Sequence, residues 1–284
     1  MPPRRDPASI SPTAHYTGYV WARYGLSDRA LRTPEGALFH ALLRPANLFQ
    51  ERILRGPTLD GVLLDRHVLI DHELEARIQR GAVGQVLELA AGMSPRGARF
   101  ARRHPGLRYV EADLPAMVAR KQEATAKLGL GPGHTVVPVD AFKDRGEGSL
   151  DALASQHLDP TQGVAVITEG LINYFDADAV EGLWARIASV LARFPGGVYL
   201  SDIHLHDETL RVYGARWFKG ALERFSKGGV TFHYSGAPRC ERALRAAGFR
   251  EATLLRPSEV ALPRPPGAPE RRGADLGRVI VATV

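Results

Sequence analysis

Four apolar segments, each running into a small-residue turn or a carboxylate, constrain the fold of this chain more than any other feature. They cover residues 85–89, 107–110, 135–139 and 164–168. Short apolar runs bounded by turn signals are typical of buried β-strands. The first run passes through small residues into a helix-like stretch. The pattern therefore predicts a strand, a tight turn and a helix, which is the repeating unit of an α/β sheet.

The first turn, after residue 89, consists of residues with almost no side chain. Ala90, Ala91 and Gly92 follow the strand that contains Glu88. A ligand can therefore approach the backbone closely, and the helix beyond presents N–H groups at its start. The turn lacks the G-x-G-x-x-G spacing of dinucleotide-binding proteins. By itself it fits a tight turn in any doubly wound sheet equally well.

Carboxylates follow the next three predicted strands. Asp113 ends the second strand about 20 positions after the glycine turn, where an acidic side chain can accept hydrogen bonds from ribose hydroxyls. Asp140 ends the third strand, and Glu169 with Gly170 ends the fourth. Ligands of open α/β sheets bind at the carboxyl ends of the strands. This succession predicts a cofactor site along one edge of the sheet.

Three short motifs make the pattern more specific. They are Glu-Leu-Ala-Ala-Gly-Met-Ser-Pro-Arg at 88–96, Glu-Ala-Asp-Leu-Pro at 111–115 and Thr-Glu-Gly-Leu-Ile-Asn-Tyr-Phe at 168–175. Together they resemble the leucine carboxyl methyltransferase family, which includes polyketide O-methyltransferases of the tetracenomycin type. That family belongs to the class I S-adenosylmethionine-dependent methyltransferases. The resemblance covers roughly residues 13–207. It is broken at Ala90, where the family usually has glycine, and at Ser94, where it usually has aspartate.

The resemblance implies a fold and a cofactor. The expected fold is α/β, a mostly parallel seven-stranded Rossmann-like sheet with a terminal antiparallel pair, helices on both faces and a helical N-terminal cap. S-adenosyl-L-methionine would lie across the strand ends, with its methionyl carboxylate on the guanidinium of Arg66 and its ammonium facing Glu169. Asp113 would accept from the ribose, and Asp140 would sit beside the adenine. The expected cofactor-binding residues are Arg66, Glu88, Ala90, Gly92, Asp113, Asp140, Ala141 and Glu169.

Composition excludes several classes of protein. The 284 residues contain no apolar run of about 18, so no membrane span is expected. The N-terminus lacks the apolar core of a secretory signal. The single cysteine, Cys240, excludes an internal disulfide and fits a reducing cytoplasm. The formal net charge of +6 comes from scattered arginines rather than from a basic stripe with interleaved aromatics, so no nucleic-acid partner is expected.

The chain divides into three predicted parts. Residues 1–12, rich in proline and arginine, are expected to be a disordered tail. Residues 13–80 show helical spacing punctuated by prolines such as Pro45. Because they precede the first strand, they are expected to form a cap across the strand ends. Residues 81–284 are expected to form the catalytic sheet domain, with a helical insertion at about 207–227.

Aromatic residues are concentrated at the start of the predicted cap and recur after the fourth and fifth strands. Such side chains bury large areas and carry polar tips, so they suit the wall of an acceptor pocket, although packing within the cap explains them as well. The expected substrate-binding residues are Tyr16, Tyr19, Trp21, Tyr24, Asn173, Tyr174, Tyr213 and Trp217. An apolar pocket with a few polar tips fits a flat aromatic or polyketide acceptor better than a charged chain end.

Two histidines follow the predicted fifth strand, which covers residues 197–203. Histidine titrates near neutral pH, so His204 and His206 are candidates for a general base that deprotonates a hydroxyl acceptor. A helix cap and a solvated side chain would place histidines there equally well. The pair lacks a clear third metal ligand, so no metal is expected.

These expectations favour an S-adenosylmethionine-dependent O-methyltransferase in the cytoplasm, acting on a small molecule such as a polyketide or another secondary metabolite. A carboxyl methyltransferase acting on a peptide or protein C-terminus fits the same motifs. A nicotinamide-dependent oxidoreductase fits the first two strands but not Glu169 or the cap. The altered first turn also allows a non-catalytic module that binds the cofactor, and Ala90 is a mild substitution only if its φ angle is negative. Monomer and homodimer both remain open.

Overall fold

The computed structural model of the protein describes residues 12–53, 56–211, 230–270 and 276–284. Its sheet consists of β1 (Gln85–Leu89), β2 (Arg108–Asp113), β3 (His134–Pro138), β4 (Val164–Thr168), β5 (Val198–Ile203), β6 (Glu251–Leu255) and β7 (Arg278–Thr283). The strand order is β3-β2-β1-β4-β5-β7-β6. The first five strands pair in parallel, and β7 runs antiparallel between β5 and β6. The predicted mostly parallel sheet with a terminal antiparallel pair is confirmed.

Helices precede, connect and follow the strands. They are α1 (Pro12–Arg23), α2 (Pro34–Arg52), α3 (Leu59–Gln79), α4 (Arg96–Arg103), α5 (Pro115–Ala126), α6 (Leu150–His157), α7 (Ala177–Leu191), α8 (His206–Arg211) and α9 (Ala237–Ala246). The α7 helix begins after Asp176, whose Oδ1 accepts a hydrogen bond from the Ala179 nitrogen at 2.8 Å. Asp176 is therefore the N-cap of α7, and its side chain satisfies one of the free N–H groups at the start of the helix. None of the helices in the described ranges is long and apolar enough to cross a membrane.

Helices cover both faces of the sheet. Every residue of the central strands β1 and β4 is buried, as expected for parallel strands between two helical layers. On one face, α6, α7 and α9 pack against the sheet around Trp184 and Tyr199. On the other face, α3 and α4 pack around Leu69 and Phe100. The helices on both faces that the sequence predicts are therefore present.

The cap helices reach the sheet through α3. This helix packs along β5 and β7, while α1 and α2 pack on each other. An apolar cluster joins Tyr16 and Trp21 of α1 to Leu63 of α3, and also to Val230 and Leu276. Because Leu276 lies just before β7, which pairs with β5 in antiparallel fashion, the cap lies beside the carboxyl end of β5.

Pro45 lies inside a helix rather than between two helices. The α2 helix continues through it, against the prediction that prolines punctuate the cap at this point. Proline in a helix removes one backbone hydrogen bond, and the ring of Pro45 is exposed on the outer side. The predicted tail, apart from Pro12, lies outside the described residues. Of the predicted insertion at about 207–227, the structure describes only the part up to Arg211.

The strand order reverses direction between β1 and β4. From β1 the chain runs outward to β3, then returns to the other side of β1 to form β4 and β5. A crevice opens at such a switch point, beyond the carboxyl ends of the strands, and ligands of open α/β sheets bind there. The residues that follow β1, β2, β4 and β5 therefore form the candidate site.

Candidate functional site

The turn after β1 places two residues in the left-handed backbone region. Ala90 has a φ of 51° and Gly92 a φ of 49°. Among the described atoms, a Cβ on Gly92 would meet only the Ala14 Cβ, 3.9 Å away, so the backbone of the turn borders open space. The Gly92 nitrogen donates to Asp113 Oδ2 at 2.7 Å. This bond ties the first turn to the end of β2.

Alanine in place of the family's usual glycine would be a mild change at residue 90 only if its φ angle were negative. The φ of Ala90 is positive, so the change is not mild. An L-residue in the left-handed region costs roughly 1–2 kcal/mol, because its Cβ crowds the following carbonyl oxygen. The first turn of this protein therefore stores strain that a glycine would not carry.

Replacing Ala90 by glycine is expected to raise the free energy of unfolding by about 0.5–1 kcal/mol. The relief of strain outweighs the larger entropy that glycine gives to the unfolded chain. Urea denaturation measures the difference. The matched control is Ala91, which is buried and has a φ outside the left-handed region, so that Ala91→Gly should lower stability by about 0.5–1 kcal/mol. Equal losses in both variants would show that Ala90 is unstrained.

Asp113 is held by backbone donors from two turns. Besides Gly92, the Leu114 nitrogen donates to Asp113 Oδ1 at 2.7 Å. Burial raises the pKa of the Asp113 carboxyl, and the hydrogen bonds from Gly92 and Leu114 oppose that rise. Each carboxylate oxygen has a second lone pair. Asp113 is thus fixed in orientation and still able to accept hydroxyl donors from a ligand.

Arg66 extends from α3 to the ends of two neighbouring strands. Its Nε donates to Glu169 Oε1 at 3.2 Å, and its Nη1 donates to Asp202 Oδ2 at 2.7 Å. Glu169 follows β4, and Asp202 lies in β5. One guanidinium therefore bridges these strands beside the switch point. Burial opposes the charge of Arg66, but Asp202 and Glu169 outweigh it and raise the pKa.

Gly170 allows Arg66 to take this position. Its φ is 68°, in the left-handed region that favours glycine. A Cβ at residue 170 would stand 2.9 Å from Arg66 Nη2 and would displace the guanidinium. The Gly170 nitrogen also donates to Asp202 Oδ1 at 2.6 Å. The turn after β4 therefore positions Arg66 in two ways: the Glu169 side chain pairs with it, and the Gly170 backbone leaves it room and holds its other partner, Asp202.

Behind this bridge lies a buried ionic network centred on Arg96, the first residue of α4. Arg96 is fully buried, and its Nη1 donates to Glu88 Oε1 at 2.6 Å. Its Nη2 donates to Glu169 Oε2 at 2.5 Å, and its Nε donates to Asp71 Oδ1 at 2.6 Å. The other oxygen of Glu88 accepts from the Tyr109 hydroxyl at 2.7 Å. Glu88 thus directs its carboxylate into the network.

The sequence predicts no role for Arg96 or Asp71. The only sequence feature that could have pointed to Arg96 is its place at the end of the first motif. Its partners come from distant segments of the chain. Glu169 lies 73 residues after Arg96 in the sequence, and Asp71 lies 25 residues before Arg96. Only the folded structure shows that one arginine serves three carboxylates.

The network keeps two of its carboxylates, those of Glu169 and Asp71, ionised. Burial acts to raise the pKa of Glu169, but the charges of His67 and Arg96 outweigh burial and hold that pKa far below its ordinary value. Burial likewise opposes the ionisation of Asp71, yet His67 and the neighbouring arginines lower its pKa to about 2. Glu169 therefore carries negative charge at neutral pH, and that charge favours a cationic group nearby.

Asp140 and Ala141 follow β3 and differ in exposure. Asp140 is exposed, and its Oδ1 accepts from the Phe142 nitrogen at 3.0 Å. Ala141 is buried against the helical layer that contains α7. The ring centroids of Phe142 and Phe175 lie 4.0 Å apart. This strand end therefore combines an exposed carboxylate with a pair of aromatic rings.

His204 follows β5 directly, is buried and is oriented by the backbone. Its Nδ1 donates to the Leu276 carbonyl oxygen at 2.5 Å, which leaves the lone pair on Nε2. Burial lowers the pKa of His204, while Asp202 and the Leu276 carbonyl act to raise it. Because the net shift is downward from 6.5, the ring is neutral at pH 7.

Asn173 fixes the backbone of His204. Its Oδ1 accepts from the His204 nitrogen at 2.9 Å, and its Nδ2 donates to the His204 carbonyl at 3.1 Å. The same Nδ2 donates to the Thr231 carbonyl at 2.7 Å. The Asn173 amide, which the sequence predicts at the substrate, is thus engaged with backbone groups. Tyr174 next to it packs against the apolar cluster of the cap.

His206 lies at the surface, unlike His204. Its side chain is 53% exposed, and its Nδ1 lies 2.8 Å from Asp207 Oδ1. The two predicted catalytic histidines are therefore separated by burial, and His204 alone occupies the interior beside the end of β5. In the part of the chain that the structure describes, no group of three His, Cys, Asp or Glu side chains is placed to hold a metal ion.

Two tyrosines of the predicted acceptor wall turn toward a buried carboxylate, Asp60 of α3. The hydroxyls of Tyr16 and Tyr24 donate to its two oxygens, the second at 3.1 Å. His40 Nε2 lies 3.2 Å from the same carboxylate. Burial, reinforced by the charge of Asp60, raises the pKa of Tyr16 far above its ordinary value. The polar tips of these tyrosines therefore serve the interior of the cap.

The other predicted wall residues have different surroundings. The Trp21 ring lies 4.6 Å from the His67 ring, between centroids, and so covers the ionic network. The guanidinium of Arg32 lies 4.4 Å from the ring centroid of Tyr19. Tyr213 and Trp217 lie outside the described residues.

The sheet order and the residues at the strand ends define a class I methyltransferase fold. The sequence matches the leucine carboxyl methyltransferase family over residues 30–188, which is more than half of the chain. The protein belongs to the leucine carboxyl methyltransferase family, so the resemblance carried by the three motifs is confirmed.

A relative from Mycobacterium tuberculosis carries the provisional name of an S-adenosyl-L-methionine-dependent methyltransferase. It is 28% identical over 184 residues, which make up 62% of this chain and 54% of the relative. The chain therefore spans about half the length of the curated relatives it matches.

Two solved structures share the fold over almost the whole chain. One, from Thermobifida fusca and provisionally described as a methyltransferase, has a TM-score of 0.66 at 14% identity, with 96% of this chain and 94% of that chain covered. The other, a DUF574 family protein from Streptomyces avermitilis, has a TM-score of 0.62 at 14% identity, with 95% and 96% covered. At this level of identity the two likenesses concern the fold alone.

Proposed function

We propose that the protein binds S-adenosyl-L-methionine and transfers its methyl group to an acceptor molecule. One observation carries the proposal: Arg66 bridges Glu169 and Asp202 at the ends of β4 and β5, next to the turn that Asp113 fixes. A cation and fixed carboxylates thus stand at adjacent strand ends on both sides of the switch point. Membership of the family and the name of the mycobacterial relative support the same activity.

The groups at this edge match the chemistry of the cofactor. S-adenosyl-L-methionine carries an amino-acid carboxylate and ammonium at one end and a ribose diol further along. Arg66 offers a guanidinium to the carboxylate, and Glu169 offers an anion to the ammonium. Asp113 offers acceptor oxygens to the diol. Ala90 and Gly92 would line the methionyl part with little side chain. When bound, the cofactor would supply an electrophilic methyl group.

The remaining predicted residues take supporting roles in this proposal. Asp140 and Ala141 would flank the adenine, beside the Phe142–Phe175 ring pair. Glu88 would act through Arg96, which in turn orients Glu169, rather than by touching the cofactor. The site would therefore rest on a rigid base, because every one of these buried charges has a partner.

We further propose that the acceptor atom is an oxygen of a small and largely apolar molecule, as in secondary metabolism. The surroundings of His204 support this acceptor: the Phe232 ring lies 6.2 Å away, and Val230 and Leu276 join the apolar cluster of the cap. Methyl transfer is a displacement at carbon, so alignment of the reacting atoms is the main requirement. The neutral ring of His204 is suited to take the proton of a phenol or an alcohol.

Calorimetric titration with S-adenosyl-L-homocysteine and, in parallel, with NAD tests the proposed cofactor. Binding of the first and not of the second is expected. Asp113→Ala should weaken the binding of S-adenosyl-L-homocysteine by about 1.5–3 kcal/mol, the value of hydrogen bonds to a charged group. Asp178→Ala, which removes an exposed carboxylate from the first turn of α7, is the control and should leave the affinity unchanged. Binding of NAD alone, or an unaltered affinity in Asp113→Ala, would refute the assignment.

A further inference from the structure

The α2 helix exposes its large apolar side chains to solvent. Leu38, Leu42, Phe49 and Ile53 are 59%, 64%, 55% and 66% exposed. They are four of the five large hydrophobic side chains that are exposed in the described part of the chain. Soluble monomeric proteins rarely leave a contiguous apolar patch open, and such patches mark interaction sites. We call these four residues the α2 stripe.

Polar contacts on the inner face hold α2 in this orientation. His40 and Asn47 each lie 3.2 Å from the buried carboxylate of Asp60. Gly36 lets α2 approach α1 so closely that a Cβ there would stand 2.3 Å from the His15 carbonyl oxygen. Turning the helix to bury the α2 stripe would break these contacts. The outward position of the stripe is therefore built into the fold.

The spacing of the α2 stripe is symmetric along the helix. Residues four and seven apart lie on one side of a helix with about 3.6 residues per turn. Leu38 and Ile53 lie equally far from a midpoint next to Pro45, and so do Leu42 and Phe49. An antiparallel copy of the same helix would place Leu38 beside Ile53 and Leu42 beside Phe49. Each contact would then occur twice, as an interface with two-fold symmetry requires.

We propose that the α2 stripe is the interface of a homodimer, in which α2 packs antiparallel against α2 of a second copy of this chain. A second copy fits because the stripe is complementary to itself and none of its four residues is charged, while the exposed charges of Glu35 and Arg52 stand near its two ends. Two stripes would bury on the order of 1,000 Å² together, the lower limit for a specific interface. The dimer should therefore form at micromolar rather than nanomolar concentrations.

Sedimentation velocity of the full chain across the micromolar range tests the dimer. A shift from monomer to dimer with rising concentration is expected. Leu42→Glu and Phe49→Glu should each raise the dissociation constant by about 30-fold or more, since each places a charge at the centre of the interface. Both positions are exposed, so the monomer should keep its melting temperature. Lys127→Glu, at an exposed position after α5, is the matched control and should dimerise like wild type.

Cross-linking tests the orientation of the two helices. Antiparallel pairing brings residue 45 of both copies together at the two-fold axis, whereas the two copies of residue 38 lie about 22 Å apart at about 1.5 Å per residue. A short bis-maleimide should therefore join Pro45→Cys into a covalent dimer but not Leu38→Cys. Native Cys240 is buried and serves as the internal background.

Four outcomes would overturn the proposal. The first is a monomer at every concentration. The second is a dimer that survives both glutamate substitutions, which would place the interface elsewhere. The third is binding of the monomer to phosphatidylcholine–phosphatidylglycerol vesicles, lost in Leu42→Glu, which would assign the α2 stripe to a lipid surface. Equal cross-linking at residues 38 and 45 would exclude the antiparallel arrangement.

Discussion

Replacing Arg96 by methionine is expected to lower the free energy of unfolding by about 3–5 kcal/mol, a large part of the stability of a domain. Arg96 is fully buried and donates to Glu88, Glu169 and Asp71. Methionine would leave these buried carboxylates without their shared cation. Loss of one partner from a buried ionic network is strongly destabilising because the remaining charges stay desolvated. Urea denaturation at pH 7 measures the loss.

A second arginine of α4 provides the matched control. The Arg102 side chain is 48% exposed, and its Nη1 lies 3.7 Å from Asp28 Oδ2. Arg102→Met should change stability by no more than about 0.5 kcal/mol, because exposed ion pairs contribute little. Arg96→Lys should fall between the two, since an ammonium keeps the charge but cannot reach three carboxylates. A loss below about 1 kcal/mol in Arg96→Met would show that the network contributes little to stability.

The same network makes stability depend on pH in the acid range. The pKa of Asp71 falls from 3.8 to about 2 on folding, and the pKa of Glu169 is lowered as well. The folded protein therefore binds fewer protons than the unfolded chain between these values. Stability from these groups is complete only above about pH 5, beyond the unfolded values of 3.8 for Asp71 and 4.5 for Glu169, and it is lost as the pH falls toward 2. The gap between wild type and Arg96→Met should shrink over that range, because protonation relieves the unpaired charges.

Replacing His204 by alanine is expected to lower turnover by about 100-fold or more on a phenol or alcohol acceptor, the usual value of general-base assistance. The physical basis is the neutral ring, whose Nδ1 proton is held by the Leu276 carbonyl. The measurement is kcat on one accepted substrate at neutral pH. His206→Ala is the control, since His206 is exposed and paired with Asp207, and it should leave turnover near the wild-type value.

The pH dependence of turnover gives an independent check on His204. Burial lowers the pKa of His204 from 6.5, so the unprotonated base persists below that pH. Wild-type turnover should therefore decline only in the acid range below 6.5. In His204→Ala this decline should vanish. Turnover should instead rise with pH toward the pKa of the acceptor, about 10 for a phenol, because the nucleophile then forms unaided.

A carboxylate acceptor would give a different result. Carboxylates are ionised at neutral pH and need no general base. If turnover does not depend on pH in either protein and His204→Ala loses little activity, the general-base role is excluded. Methyl transfer to a carboxylate is then favoured. Calorimetric affinity for S-adenosyl-L-homocysteine in the same variant separates loss of the base from damage to the site.

The places of the parallel strands along the chain were predicted from the sequence alone. The predicted fourth strand has the observed bounds, Val164–Thr168, and the first coincides with Gln85–Leu89. Strands buried on both faces are mostly apolar, although β1 also contains Gln85 and Glu88, so local composition is enough to find them. The carboxylates that follow these strands are equally local features, since each belongs to the turn at which its strand ends. The expectation of a mostly parallel seven-stranded sheet with a terminal antiparallel pair came from the resemblance of the motifs to a family, whereas the order of the strands in the sheet came from the structure.

The partners of the charged side chains were decided only by the tertiary structure. Glu88 and Asn173 were expected at ligands, yet the first pairs with Arg96 and the second holds the backbone of His204. Arg66 meets Glu169 and Asp202 across 103 and 136 residues of chain. Such contacts depend on which strands become neighbours, and no local pattern specifies them.

The same division applies to the first turn and to the cap. The residue types at Ala90 and along α2 are plain in the sequence, as is the helical spacing of residues 13–80. The left-handed backbone conformation of Ala90 and the outward direction of the α2 stripe cannot be predicted from the sequence. Local sequence sets backbone propensity and determines which residues share a helix face. Which face is buried depends on groups from elsewhere in the fold, here the carboxylate of Asp60, whose polar partners outweigh the apolar side chains of α2.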